Sequence, residues 1–318
     1  MSMTVISCCR TLKSAEIINF IVCRQWLMSA REPKQAVDIK ASMMEYIIGS
    51  LDLLSQKPIP DDRAIHDVRV MMKQHRAAVK LARPLIDEPV YRREYTAGRE
   101  TGRLIATWRE AAVLRKTVKA LKKENPELFM KLWDNEQIQE LLRKPFKNWD
   151  EAGKQADTVR EVAARLNKAR YRVRFLGLTE PDIQMLLEEL ERHYHDAAES
   201  YVAARRNPGS RLLHEFRKKS KTFMYQLCYF RHLNPSAVKS LEKKIDYMTQ
   251  NLGKYNDLSQ VKALTGCKLG AGGNSEVIDE LAIVIRDKQD TYLMKVWPVA
   301  YRIFAPGRKL QDLLGLSF

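Results

Sequence analysis

Residues 62–83 read DRAIHDVRVMMKQHRAAVKLAR, and the two faces of this stretch differ sharply in chemistry. At about 100° per residue in a helix, its basic residues share one sector and its apolar residues occupy the remaining arc. The pattern predicts a helix that packs through the apolar arc and leaves a cationic ridge open. The ridge consists of His66, Arg69, Lys73, Arg76, Lys80 and Arg83.

The rest of the chain shows the same helical character. Its 13 glycines and 12 prolines fall mainly between long stretches rich in Ala, Leu, Glu, Lys and Arg, which favour helices. Asp61 or Asp62 is placed to cap the helix that runs to Arg83. Short loops between long helices imply antiparallel neighbours. The sequence therefore predicts an all-α fold.

An internal repeat indicates how the helices are organised. Residues 65–69, IHDVR, recur as residues 213–217, LHEFR, 148 positions later. Each copy continues with a lysine seven residues after its histidine, Lys73 and Lys221. These matches predict a duplicated four-helix unit.

The repeat also suggests domain boundaries. We expect a seam near Gly177, which separates a first helical bundle, residues 35–176, from a second, residues 177–318. Residues 1–34 stand apart as an N-terminal extension. This extension lacks the small residues of a signal-peptide cleavage site, so we interpret it as non-secretory. We also expect that the natural protein could begin at Met28, and mass spectrometry of its N-terminus would test this.

The second copy of the ridge is thinner than the first. Its predicted binding residues are His214, Arg217, Lys218, Lys221 and Tyr225. Two arginines on the helix after Pro89 are either further groove residues or solvated surface charges, and the sequence leaves both options open. They are Arg99 and Arg103.

Charge points to a polyanionic partner. The chain has 55 Lys and Arg against 39 Asp and Glu, a net charge of +16. No acid lies between Arg69 and Lys80 to relieve the repulsion along the ridge. From His66 to Arg83 the ridge would rise about 25 Å at 1.5 Å per residue. This length suits a chain of phosphates better than a single phosphate.

These motifs resemble a known family. The His-x-x-Arg-x-x-x-Lys-x-x-Arg helix, its second copy and residues 252–258, LGKYNDL, are similar to the CHAD family, the conserved histidine α-helical domain. The resemblance covers nearly everything after residue 35. It implies two pseudo-twofold-related four-helix bundles that bind inorganic polyphosphate on a basic surface or channel, without catalysis. The family pattern falls on His66, Arg69, Lys73, Arg76, His214, Arg217, Lys221 and Tyr225.

Two positions depart from that pattern. Met224 stands where similar proteins usually carry a basic residue, and Glu110 stands where they usually carry Asp. A weaker second half-site is therefore predicted. We expect Glu110 and Asp257 to orient a neighbouring His or Arg as buried ion-pair partners.

The two repeated histidines admit two roles. Each could donate a hydrogen bond to phosphate, with a positive charge that grows below pH about 6.5, or each could be a buried structural residue. Metal ligation is not expected, because Arg and Lys surround both rings and neither has a second ligand one turn away.

No catalytic constellation or cofactor motif emerges. The five cysteines are scattered along the chain, and no Ser-His or Cys-His pattern is evident. We therefore expect a cytoplasmic, non-catalytic protein without a cofactor, associated with polyphosphate granules if it binds this polymer. No apolar run is long enough for a bilayer. The glycine-rich residues 266–273 are interpreted as a connector.

Two other kinds of partner stay open. A basic helical protein also suits nucleic acid, RNA or DNA, bound through the backbone. Base recognition, however, usually needs Asn, Gln or stacking aromatics among the cations, and the first ridge contains only His, Arg and Lys. The third interpretation is a helical scaffold whose basic face docks an acidic protein partner.

Overall fold

The computed structural model describes residues 38–133, 152–180, 182–266 and 275–316. These segments contain eleven α-helices and no β-strand, so the all-α prediction is confirmed. From Ile39 onward they belong to one compact unit. The predicted N-terminal extension with Met28, and most of the glycine-rich connector, lie outside the described residues.

Six helices precede residue 177. They are α1 Ile39–Ser55, α2 Asp62–Leu81, α3 Glu88–Leu104, α4 Ala106–Glu124, α5 Pro126–Trp133 and α6 Ala152–Arg174. Five more follow: α7 Ile183–Arg206, α8 Ser210–Leu227, α9 Pro235–Gly266, α10 Ser275–Phe304 and α11 Leu310–Leu314. Short 3₁₀ turns at Arg83–Leu85 and Cys228–Phe230 extend α2 and α8.

Helix contacts form two closed rings. In the first ring, α2 and α6 each pack against both α1 and α3. In the second, α8 and α10 each pack against both α7 and α9. Contacts of α2 with α8 and of α4 with α9 join the rings. The twofold relation and the boundary near Gly177 stay predictions.

The start of α2 follows from its sequence. The Asp61 side chain accepts hydrogen bonds from the backbone N–H groups of Arg63 and Ala64, at 3.2 and 2.9 Å. These bonds satisfy donors that a helix start leaves unpaired. Asp61 is thus the N-cap, one of the two candidates that the sequence suggested.

The end of α2 differs from the prediction. The helix stops at Leu81, and Arg83 lies in the 3₁₀ turn that follows. Pro84 disfavours helical backbone at the preceding residue, which accounts for the earlier stop. Arg83 therefore does not continue the ridge on the same helix.

The apolar arc of α2 is the packing surface, as predicted. Val68, Ala78 and Leu81 are buried. His75 is buried with them, although the sequence did not single it out. A second apolar cluster joins α4, α5, α9 and α10. Its buried members are Leu114, Val118, Leu121, Leu128, Phe129, Leu132, Leu258, Val261, Leu281 and Ile285.

A buried polar contact connects α2 to α8. The Gln226 side-chain amide donates to the backbone carbonyl of Ala77 at 3.0 Å, and both residues are buried. Losing such a bond inside the protein would leave unpaired polar groups. The contact therefore constrains how the two histidine-bearing helices cross.

Within the described segments, no helix has both the length and the hydropathy needed to span a bilayer.

Aromatic packing holds α8 in the second ring. Phe216 is fully buried, with its ring 5.6 Å from that of Phe304 and 5.7 Å from that of Tyr201. We expect Phe216→Ala to lower the free energy of unfolding by about 3–5 kcal/mol, because the substitution removes buried contacts and leaves a cavity. Urea denaturation measures the change. The exposed Met294→Ala is the control, with an effect within about 0.5 kcal/mol; equal effects would contradict this account of the core.

Candidate functional site

The ridge on α2 is less open than its sequence suggested. His66 and Arg83 are exposed, whereas the cations between them are half-buried: Arg69, Lys73, Arg76 and Lys80. Because α2 packs against both α3 and α8, neighbouring helices shield the long side chains along their stems. The structure therefore places four like charges where water reaches them only in part.

These four cations have no carboxylate partner among the residues that the structure describes. Over the described residues, no salt bridge within 4.0 Å involves Arg69, Lys73, Arg76 or Lys80. Two of their nitrogens, Nη1 of Arg69 and Nε of Arg76, are buried without a hydrogen-bond partner. A buried donor without a partner is costly, and native proteins keep few of them. These two donors therefore add to the cost of gathering cations on α2.

The electrostatics of Lys73 show how closely the positive charges gather. Burial is the larger cause and the charges of Arg217, Arg69, Arg76 and Lys221 add to it, so that the pKa of the ammonium group falls to about 7. Two of these charges come from α8. Cations of the two histidine-bearing helices thus influence each other, and Lys73 lies where their effects converge.

The other three half-buried ridge cations are shifted in the same direction. Burial lowers the pKa of Arg69, Arg76 and Lys80. Glu110 opposes the shift at Arg69, and Asp196 opposes it at Lys80. Neither acid lies close enough to form a salt bridge over the described residues.

The cations of α8 are engaged within the protein. Lys221 lies 2.7 Å from Asp246, and Lys218 lies 2.9 Å from Glu215. The Arg217 Nε donates to the carbonyl of Thr249 at 3.0 Å. Unlike the α2 ridge, the second copy has its positive charge partly neutralised.

Gly253, within the LGKYNDL motif, allows the close approach of Arg217. A Cβ atom at this position would lie 3.2 Å from Nη2 and 3.3 Å from Nε of Arg217. Any side chain would push the guanidinium away from α9. The glycine thus helps to hold Arg217 against Thr249.

Both repeated histidines favour the neutral form. For His66, desolvation by surrounding protein atoms, followed by the charges of Arg109 and Lys73, lowers the pKa to about 4, although the residue is exposed. Burial and the charges of Lys218 and Arg217 lower the pKa of half-buried His214. The expected gain of charge just below pH 6.5 is therefore wrong for the unliganded protein.

The two acids predicted to orient a neighbouring His or Arg, Asp257 and Glu110, occupy different settings. Asp257 is half-buried; burial raises its pKa, while Arg217, Arg109 and Lys116 oppose that shift. Glu110 is exposed, so its predicted role as a buried ion-pair partner is wrong.

The outlying predicted residues have partners of their own. Arg99 and Arg103 both lie near Glu100, at 3.2 and 3.6 Å. Arg83 lies 3.5 Å from Glu88. Tyr225 lies beneath Lys221, with its ring centroid 5.5 Å from the ammonium nitrogen. Of these, Arg99 is near enough to lower the pKa of Arg76.

Two relevant residues escaped the sequence analysis. Arg109 of α4 is half-buried, and its charge acts on both His66 and Asp257. The available signal was a loose repeat, since residues 108–110, WRE, are matched by residues 255–257, YND, each an aromatic, a polar residue and an acid. Asp246 was missed because nothing local in α9 indicates that it meets Lys221.

This arrangement is suited to holding anions. It combines unpaired guanidinium and ammonium groups with neutral imidazoles, all potential hydrogen-bond donors. Among the residues that the structure describes, no group of three or more His, Cys, Asp or Glu is placed to hold a metal ion.

The charge of Lys73 should destabilise the unliganded protein. Its folded-state pKa, about 7, lies below the ordinary value of 10.5, so the unfolded chain binds the proton more tightly between these values. Stability should therefore rise as the pH increases from 7 towards 10. Lys73→Met should raise the free energy of unfolding at pH about 7 by on the order of 1 kcal/mol after solvent screening, and flatten the rise.

Urea denaturation at low salt across this pH range measures the effect. Lys119→Met, at an exposed position of α4, is the control for losing one lysine. A less stable Lys73→Met variant at neutral pH would contradict the assigned repulsion.

Comparison with known proteins identifies the family of the chain. No curated protein matches the chain. Among solved structures, it is similar to the crystal structure of the CHAD domain from the plant Ricinus communis, with 15% sequence identity and a TM-score of 0.48. The alignment covers 91% of this chain and 98% of that chain. The family model of the CHAD domain matches residues 53–265. Because this match spans more than half of the sequence, the chain belongs to the CHAD domain family.

Proposed function

We propose that this protein binds inorganic polyphosphate, without catalysis, in a basic groove lined by α2 and α8. The observation that supports this most strongly is the set of four half-buried cations on α2 without a carboxylate partner in the described part of the chain. Negative charge from a ligand would relieve their mutual repulsion. A polyanion offers that charge in a linear form.

The shape of the ridge supports a linear ligand. From Arg69 to Lys80 the helix rises about 16 Å at 1.5 Å per residue. Arginine can hold two phosphate oxygens at once, and lysine acts as a point charge. The unpartnered Nη1 of Arg69 and Nε of Arg76 would donate to such oxygens. His66 and His214 would add neutral donors, one from each of the two helices.

Nearby aromatic rings favour phosphate over nucleic acid. Single-stranded nucleic acids usually stack their bases on open aromatic faces. Here Lys80 lies over the ring of Tyr95 at 5.7 Å, and Arg83 lies over that of Tyr91 at 5.2 Å. These rings already face the protein's own cations. Recognition would therefore depend on the phosphates alone.

Cellular location belongs to the same proposal. A polyphosphate binder with this chemistry would act in the cytoplasm, at polyphosphate granules where the polymer is concentrated. The division into two unequal half-sites, one on each ring, follows from the paired state of the α8 cations.

Competition tests the class of ligand. Long-chain polyphosphate should displace a labelled polyphosphate probe at lower phosphate concentration than charge-matched single-stranded RNA or DNA does, as measured by fluorescence anisotropy. Affinity should also fall steeply with salt, with a slope of about −0.7 per phosphate contact by analogy with single strands. Preference for RNA or DNA would favour the nucleic-acid function, and an affinity independent of salt would contradict both.

Two arginine substitutions test the location of the site. Arg69→Ala combined with Arg76→Ala should weaken polyphosphate binding at least about tenfold, because each removes a charge-assisted contact. Arg170→Ala with Arg174→Ala removes the same charge from an exposed face of α6 and should have a much smaller effect. Circular dichroism should show unchanged helicity in both. Equal losses of affinity would indicate that only net charge matters.

A further inference from the structure

We propose that Asp246 competes with polyphosphate for Lys221, so that a phosphate chain occupies the α2 side first and reaches the α8 side only by displacing this carboxylate. The inference rests on the proposed polyphosphate function and adds a residue that limits its second half-site. The contact between Lys221 and Asp246 helps to explain why the α8 copy of the motif has less uncompensated positive charge than the α2 copy.

The geometry of the pair is that of a held ion pair. Lys221 Nζ lies 2.7 Å from Asp246 Oδ1, and the Gln250 side-chain amide donates to Asp246 Oδ2 at 2.7 Å. The Lys221 and Asp246 side chains are 18% and 32% exposed. Partial shielding strengthens the pair relative to one in open water. Gln250 fixes the carboxylate so that it points at Lys221.

Lys221 belongs to the same charge cluster as the ridge. Its charge is one of those that lower the pKa of Lys73, its repeat counterpart. A phosphate chain that lies along α2 thus comes within reach of Lys221. The two lysines differ in one respect: Lys221 has a carboxylate partner and Lys73 has none over the described residues.

The repeat shows where this difference originates. The position 148 residues before Asp246 is Gly98 on α3, which has no side chain to offer. A Cβ atom at Gly98 would lie 3.1 Å from Cγ of Arg76 and 3.3 Å from Nδ1 of His75. Both contacts would be tighter than ordinary packing, so a side chain at position 98 would have to displace Arg76 or His75.

Ligand length should therefore matter. A short phosphate chain can satisfy the unpaired cations of α2 without disturbing the Asp246 pair. A long chain that spans both helices must replace the carboxylate with a phosphate oxygen. The pair of Lys221 and Asp246 therefore lowers the affinity for long chains. It has little effect on the affinity for short chains.

Asp246→Asn tests this directly. The amide keeps the size of the side chain and an oxygen that can accept from Lys221, but it removes the charge. Affinities for long-chain polyphosphate and for tripolyphosphate are measured by isothermal titration calorimetry at one ionic strength. We expect long-chain binding to tighten about threefold, the scale of one partly exposed ion pair, and tripolyphosphate binding to change much less.

Two further variants separate this effect from net charge. Asp287→Asn, at an exposed position of α10, makes the same change in net charge and should leave the affinity nearly unaltered. Adding Lys221→Met to Asp246→Asn should abolish the gain, because the released ammonium group is its source. This double-mutant comparison isolates the pair.

The outcomes distinguish the two proposals. If the wild-type protein binds polyphosphate but Asp246→Asn gains no more than Asp287→Asn, or if the gain survives Lys221→Met, the competition is overturned and the polyphosphate function stands. If the wild-type protein binds neither long-chain polyphosphate nor tripolyphosphate, both proposals fall. Unchanged thermal unfolding of the variants confirms that each is folded.

Discussion

Repulsion among half-buried cations is the constraint on which the site depends. The contact of α2 with α8, fixed by the bond from Gln226 to the Ala77 carbonyl, holds Lys73 near Arg217 and Lys221. In open water these charges would be screened; partly shielded, they act on one another. The depressed pKa of Lys73 and the unpartnered donors of the two ridge arginines are consequences of one packing arrangement.

Such an arrangement lowers the free energy of unfolding, and a loss of stability of this kind is common at binding sites. The two copies of the repeat differ in how far this repulsion is reduced. The α8 copy neutralises its lysines with Asp246 and Glu215, whereas the α2 copy leaves its cations without carboxylates in the described segments. Two helices with similar motifs thus differ in how far carboxylates of the protein offset their positive charge.

Residue patterns along α2 were sufficient to predict its buried face, its basic face and its N-cap. The helical period separated the buried Val68 face from the ridge, and Asp61 was one of two candidate caps. Errors arose where distant groups intervene. Pro84 ended α2 before Arg83, neighbouring helices half-buried a ridge expected to be open, and desolvation with adjacent cations kept His66 neutral. Glu110 is exposed because α4 presents that position to solvent, which its own sequence does not indicate.

The amino-acid sequence by itself determined the helical class, the repeat and the presence of a basic stripe, because each is a matter of periodicity along a single helix. Only the tertiary structure decided which cations keep their charge uncompensated. That outcome depends on whether a carboxylate from another helix stands opposite, as Asp246 does for Lys221, or whether none of the described residues brings one within 4.0 Å, as for Lys73. Electrostatic energy depends on distance through space, and distances between helices are set by packing.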